Sequence, residues 1–207
     1  IKPPEARRIV GRGVPRVDIP DRVFGRFRYV YDVRREGMLH GCTVFPPALG
    51  ATVEAVDESS VRGIPGVVRV VREGNYVGVV AETEWAAIKA ARALAVRWSS
   101  WTGLPDQARI FEHVRATLVA QVQVTSDRGN PGEAIRGAAK TISATYDFPI
   151  HSHASMGPSC AVAEFADGRL TVWTSSQGTH VLRKQLGQML AVPIEQVPCV
   201  YLGGSGW

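Results

Sequence analysis

Between Leu170 and Leu190 the apolar period changes from two residues to between three and four, with only a short polar interruption. Leu170, Val172 and Thr174 fall on one side of an extended segment and Thr171 and Trp173 on the other, the alternation of a strand. After Ser175 and Ser176, the residues Leu182, Leu186, Met189 and Leu190 recur at i, i+4, i+7 and i+8, one face of a helix. A strand that feeds a helix within so few residues points to a fold mixing the two. It also puts Gln177 and Gly178 where the first N–H groups of the helix gather and partial positive charge accumulates. Such a junction suits an anionic cofactor.

The rest of the chain carries the same two signals. Phe27, Tyr29 and Tyr31 alternate with Arg26, Arg28 and Val30, and Leu39 to Phe45 is a second apolar run ended by Pro46-Pro47. Further strands are expected at Val53 to Asp57, Val67 to Val71, Tyr76 to Ala81 and Ala95 to Ser99. Thr83 followed by Glu84 is a helix N-cap signal, and the helix it opens turns Ala87, Ile88, Ala91 and Leu94 inward. Later, strands are expected at Ala116 to Val124 and Thr141 to Phe148, with a short helix from Glu133 to Ala138 opened by Asn130-Pro131-Gly132. Cys160 to Phe165 and Leu170 to Thr174 flank Asp167-Gly168, a tight-hairpin dipeptide because glycine accepts the positive φ the turn needs. Val197 to Leu202 reads as a last strand, with Pro198 placing it at an edge or a bulge. The class is α+β.

Residues 1 to 21 hold Pro3, Pro4, Pro15 and Pro20 and are expected to form an extended arm. Ile1-Lys2-Pro3-Pro4 lacks an initiator Met, and Gly203-Gly204-Ser205-Gly206-Trp207 stops in a glycine-rich turn straight after a strand, so both ends are expected to be cuts in a longer polypeptide. The compartment, cytoplasmic or periplasmic, stays open.

Composition removes several classes of function. The net charge of +5 is scattered apart from Arg7-Arg8 and Arg34-Arg35, with no basic stripe interleaved with aromatics to bind nucleic acid. No apolar run reaches the roughly 18 residues of a membrane span. Cys42, Cys160 and Cys199 lie far apart without a C-x-x-C, so neither a zinc knuckle nor an iron-sulfur run is present in this chain. Walker loop, dinucleotide fingerprint and H-E-x-x-H are also missing.

Several residues carry chemistry with alternatives left open. His151 and His153 have metal-ligand spacing but no nearby third ligand, and a loop contact is the competing reading. His180, at a helix start, suits a neutral hydrogen-bonding role better than acid-base work. Ser205 lacks the flanking pattern of a nucleophile elbow, which makes a serine hydrolase weakly supported. Gly203, Gly204 and Gly206 read either as a flexible tail or as backbone kept bare for a flat cofactor. The Gln177 amide can donate to an oxo or phosphate oxygen without adding charge.

Taken together, the motifs reach a family. Pro15-Arg16-Val17-Asp18, Gly25-Arg26-Phe27-Arg28-Tyr29-Val30-Tyr31-Asp32 and Gly37-Met38-Leu39-His40-Gly41, then Phe45-Pro46-Pro47, resemble the start of the large subunit of xanthine dehydrogenase and aldehyde oxidase type molybdenum hydroxylases. Gly66 to Val70 and Val79 to Ala87 continue the likeness. Met156-Gly157-Pro158, Asp167 to Trp173 and Thr174-Ser175-Ser176-Gln177-Gly178-Thr179-His180 resemble the molybdopterin-binding region, in the form found in the isoquinoline 1-oxidoreductase and nicotinate dehydrogenase branch.

The resemblance implies an extended arm over residues 1–21, an α/β-hammerhead domain over 22–103 and the first part of a molybdopterin-binding domain over 104–207. It implies a molybdenum-molybdopterin cofactor, held here by Gln177, Gly178, Gly203, Gly204, Ser205 and Gly206, with no metal ligand from this chain. The expected activity is oxidation of an N-heteroaromatic or aldehyde with oxygen from water. The expected partners are the remainder of the large subunit, an iron-sulfur subunit that takes the electrons and, in some members, a cytochrome c subunit. The resemblance places the base glutamate downstream of residue 207, so the 207-residue piece alone is expected to be inactive. A noncatalytic binding or assembly module reusing the hammerhead is the alternative. Where relatives carry Glu after the matching Met, Gly157 stands here, and Gly204-Ser205-Gly206 replaces a Gly-Gly-Gly-Phe-Gly type turn. Substrate contacts therefore do not carry over.

Overall fold

A computed structural model describes residues 2–204. Two compact units emerge, one of residues 1–36 with 151–207 and one of residues 37–150. The fold class is α+β, as the alternating patterns indicate.

The N-terminal arm is exposed and irregular apart from a short 3-10 turn at Pro4–Ala6 and one five-residue helix, α1 (Ile19–Val23). The helix departs from the extended arm expected there. Pro20 lies in its first turn, where a missing N–H costs nothing, and Asp18 pairs with Arg22 four residues on. The strand expected around Phe27 to Tyr31 is also absent. The backbone N–H of Tyr29 donates to the Asp32 carboxylate at 2.8 Å, which turns Val30–Asp32 into a 3-10 turn and leaves Tyr29 a single parallel bridge to Gly203.

The unit of residues 37–150 contains β1 (His40–Thr43), β2 (Val53–Asp57), β3 (Val67–Glu73), β4 (Tyr76–Ala81), α2 (Glu84–Ala93) and β5 (Ala95–Trp98). β4 is central in an antiparallel β1-β4-β3 sheet, which explains its unbroken apolar run, and β2 pairs with β5. The β3–β4 hairpin turns on Gly74 at φ +58, and Asn75 beside it accepts from Val53 N–H and donates to Ala51. Thr83 caps α2 by accepting from Ala86 N–H, and α2 buries Ala86, Ala87 and Ala90 against the sheet. Ile88, expected on that face, is only half-buried. Val61, Val77, Val79, Ala90 and Leu94 form the core, joined by Val53, Val56, Val96 and Trp98 from the second sheet.

Two helices follow, α3 (Ile110–Ala116) and α4 (Pro131–Arg136). Asn130 caps α4 through its bond from Glu133 N–H. The strands expected at Ala116 to Val124 and Thr141 to Phe148 do not form: neither segment joins a ladder, and Leu118 is 92% and Ile142 84% exposed. Alternation sets which faces a strand would show, but hydrogen-bonding partners make the strand. Among the described residues these segments pair with no other strand.

The first unit closes with β6 (Ala161–Ala166), β7 (Arg169–Thr174), α5 (Thr179–Leu190) and β8 (Cys199–Tyr201). β6 and β7 form the expected hairpin, with Asp167 and Gly168 both at positive φ. β8 lies at the edge, where Pro198 needs no donor of its own and its carbonyl accepts from Val172 N–H.

Candidate functional site

β7, α5 and β8 form one strand-helix-strand crossover whose strands run parallel, with Val172, Trp173 and Thr174 beside Cys199, Val200 and Tyr201. Both strands therefore finish at the same edge. Leu202 N–H donates to the Thr174 carbonyl at 2.9 Å, so the turn after β7 and the turn after β8 leave the sheet side by side. The helix is held down by Leu186 against Leu170, Val172 and Val197. Arg183 adds two bonds, from Nε to Val197 O and from Nη2 to Ile194 O. In open sheets of this connectivity the space beyond the carboxyl ends of parallel strands is where ligands sit, because helix N-termini point there.

The turn from Thr174 to Gly178 is built by local hydroxyl bonds. Thr174 Oγ1 accepts from Ser176 N–H at 3.1 Å, and Ser176 Oγ accepts from Gly178 N–H at 3.2 Å. Thr174 and Ser175 are buried. Gly178 is the N-cap of α5 and supplies no capping side chain, and the first turn carries no acidic residue. The N–H groups that open α5 thus face outward with the positive end of the dipole and no carboxylate to offset it. Gln177 is exposed at the tip of this turn.

Gly203 and Gly204 lie against it. A Cβ on Gly204 would meet Ser175 Cβ and Oγ at 2.6 Å, and one on Gly203 would meet the Phe27 ring at 2.8 Å. The Gly203 carbonyl accepts from Val30 N–H at 2.8 Å. These glycines are placed by close approach to the chain's own side chains, which is not the behaviour of a loose tail. Gly204 therefore lies beside Ser175, in the turn that leads to Gln177 and Gly178, and Gly203 lies against Phe27 and Tyr29, whereas Ser205 and Gly206 lie outside the described residues.

His151 and His153 occupy an exposed irregular loop in which Ala154 adopts φ +49, and His180 is exposed in the first turn of α5. Among the described residues no group of three His, Cys, Asp or Glu could hold a metal ion. Glu164 accepts a forked pair of bonds from Arg35. Sequence reasoning missed the Thr174, Ser175 and Ser176 contribution. Its available signal was a hydroxyl two residues before a helix-opening glycine, the spacing at which a serine bonds the backbone ahead of it.

Comparison with known proteins locates the chain. Residues 111–205 match the family model described as molybdopterin cofactor-binding domain. A nicotinate dehydrogenase polypeptide of Pseudomonas putida is 40% identical over 215 residues, covering 100% of this chain. The chain belongs to the xanthine dehydrogenase and aldehyde oxidase family of molybdopterin-binding large subunits. Within that family, the beta chain of isoquinoline 1-oxidoreductase from Brevundimonas diminuta is 37% identical over 45% of this chain. The family fold is also seen in quinoline 2-oxidoreductase from Pseudomonas putida 86, at TM-score 0.69 and 19% identity over 95% of this chain and 30% of that one. The chain spans 18% of the length of the first relative and 12% of the second. Among the described residues no helix is long and apolar enough to cross a membrane.

Proposed function

We propose that this chain supplies part of the cofactor seat in a molybdenum hydroxylase that oxidises an N-heteroaromatic or aldehyde substrate with oxygen from water. Electrons would pass to iron-sulfur centres in a partner subunit, with a cytochrome c subunit as a further carrier. The observation that carries this reading is the pairing of an uncapped, acid-free helix N-terminus with a close glycine turn at the shared end of two parallel strands. That arrangement fits an anionic group with oxygen acceptors, and the set of donors here, amide and backbone N–H, adds no competing charge.

When bound, a molybdenum-pterin group supplies an electron-accepting metal in an anionic frame. The chain's part is to bind and orient. Gln177 offers its side-chain amide from the turn, Gly178 keeps the helix opening free of a side chain, and Gly203 and Gly204 bring backbone alongside. Ser205 and Gly206 belong to the proposed seat on the family resemblance alone. A turn fixed by the Thr174 and Ser176 hydroxyls holds its remaining donors with little reorganisation when charge develops nearby. Under this reading residues 22–103 serve as the hammerhead domain and 104–207 as the cofactor domain's first part, a division supported by a family match that begins at residue 111.

The test separates helix stability from cofactor loading. Thr179→Glu places a carboxylate in the first turn of α5, which favours an isolated helix by roughly 0.3–1 kcal/mol but repels an anion. In the full-length subunit, molybdenum and pterin content should fall at least tenfold with no loss of thermal stability. Unchanged loading would refute the seat. A correctly folded full-length protein with neither metal nor pterin would instead indicate a binding or assembly module.

A further inference from the structure

The β6-β7-β8 sheet has a second face that the proposed cofactor seat does not use. Leu170, Val172 and Cys199 face α5. Trp173 and Val200 alternate with them and face away, on the side where Arg35 reaches across to Glu164 on β6. There a half-open cleft of about 210 Å³ is lined by Arg28, Val33, Arg34, Arg35, Trp173, Val200 and Leu202.

Its charges are unevenly matched. Arg35 is committed: its guanidinium makes a forked ion pair with Glu164 at 2.8 Å and lies 5.2 Å from the centre of the Trp173 ring. Arg34 bonds the carbonyl oxygens of Tyr31 and Val33 through Nη1, which aims the guanidinium without neutralising it. Arg28 has neither hydrogen-bond nor ion-pair partner among the described residues. Two guanidiniums without an ion pair among the described residues thus line the cleft together with indole and aliphatic carbon. Guanidinium pairs with planar carboxylate through parallel N–H bonds, while the floor suits a flat apolar body. A cavity of about 150 Å³ takes up benzene, so this cleft accommodates a single six-membered ring or a shorter acid.

We propose that the cleft is a carboxylate-binding site, in which Arg28 and Arg34 hold the carboxylate and Trp173, Val200 and Leu202 hold its apolar body. A free aromatic monocarboxylate and an Asp or Glu side chain of a neighbouring polypeptide present the same chemistry.

The 207-residue chain, isotope-labelled, is titrated with benzoate and with neutral benzamide while the Trp173 indole N–H and Arg34 Nε–H signals are followed. Benzoate should shift both saturably, and benzamide should bind at least tenfold more weakly. Arg28→Gln with Arg34→Gln should raise the benzoate Kd at least tenfold while the remaining spectrum stays in place. Arg28→Lys alone should keep part of the affinity. Absence of a saturable shift, or equal affinities for benzoate and benzamide, overturns the assignment. The same titration on the full-length subunit distinguishes the sources. Benzoate binding there identifies a free acid, whereas no binding together with a lowered Tm in the double variant identifies a polypeptide carboxylate. Neither binding nor a Tm change overturns the site.

Discussion

Replacing Gly204 by alanine tests whether the turn after β8 is held by close approach or is free. An ideal Cβ there would stand 2.6 Å from both Cβ and Oγ of Ser175 and 3.4 Å from Val30 Cγ1. Carbon atoms settle at about 3.5–4.0 Å, so roughly 1 Å of separation has to be found. Rotating Ser175 removes only the Oγ conflict, because Cβ is fixed to the backbone. That backbone is tied at Thr174, whose carbonyl accepts from Leu202 N–H and whose hydroxyl accepts from Ser176 N–H. The strain is then of the overpacking kind, about 1–3 kcal/mol, or about 2–4 °C in Tm per kcal/mol for a chain of this length. Ser175→Gly deletes both opposing atoms, so the double variant should lose less stability than the sum of the two single changes. Hydrogen exchange at the Val172 and Leu202 amides, which bond Pro198 and Thr174 between the parallel strands, localises the effect. A Gly204→Ala chain with wild-type Tm and unchanged exchange at those amides, or losses that simply add, would refute the close-approach argument and return the turn to the status of a loose tail.

Three further outcomes are expected. Ala191 ends α5 in the left-handed region at φ +52 and is exposed, so Ala191→Gly should stabilise the chain by about 0.5–1 kcal/mol, read as a rise in Tm. Arg183→Met should destabilise by about 1–3 kcal/mol, because two bonds to the carbonyls of Ile194 and Val197 are lost from a charged donor. Burial pushes the Cys199 thiol above its ordinary value of 9.0, with Arg183 partly opposing. Cys199 should accordingly react with a thiol reagent more slowly at pH 8 than an unperturbed cysteine. Its contribution to stability should be whole below pH 9.0 and be lost as pH rises through the raised value. Equal labelling rates before and after unfolding would contradict this.

How much could be read from residues alone depends on whether the decisive partner is a sequence neighbour. Thr83 with Ala86, Asn130 with Glu133 and Asp167 with Gly168 settle their geometry within four residues; the first helix start and the turn lie where the sequence puts them, and α4 starts at Pro131, two residues before the expected Glu133. The strand-to-helix junction at Gln177 was legible for the same reason. Val30 and Glu164 were not: Val30 is fully buried and bonded to Gly203, and Glu164 is paired with Arg35, across more than a hundred residues. No local period carries such pairings. The family likeness, spread over motifs from Pro15 to His180, did carry the identity of the cofactor domain.

The two misread segments follow from the same principle and can be tested. Ala116 to Val124 and Thr141 to Phe148 alternate as well as β7 does, yet Val119, Val122, Tyr146 and Phe148 are each about three-quarters exposed. An alternating segment gains its hydrogen bonds from another strand, and it buries its apolar side only against a covering layer. Where neither is supplied, the pattern has no structural effect. Amides from Val119 to Val124 and from Ile142 to Phe148 should therefore exchange in this chain at rates close to those of an unstructured peptide, while Val79 and Val80 in β4 stay protected. The same amides should become protected in a longer polypeptide that provides a pairing strand. Protection factors in the 207-residue chain comparable to those of β4 would show that the segments are strands already, and that alternation was by itself sufficient.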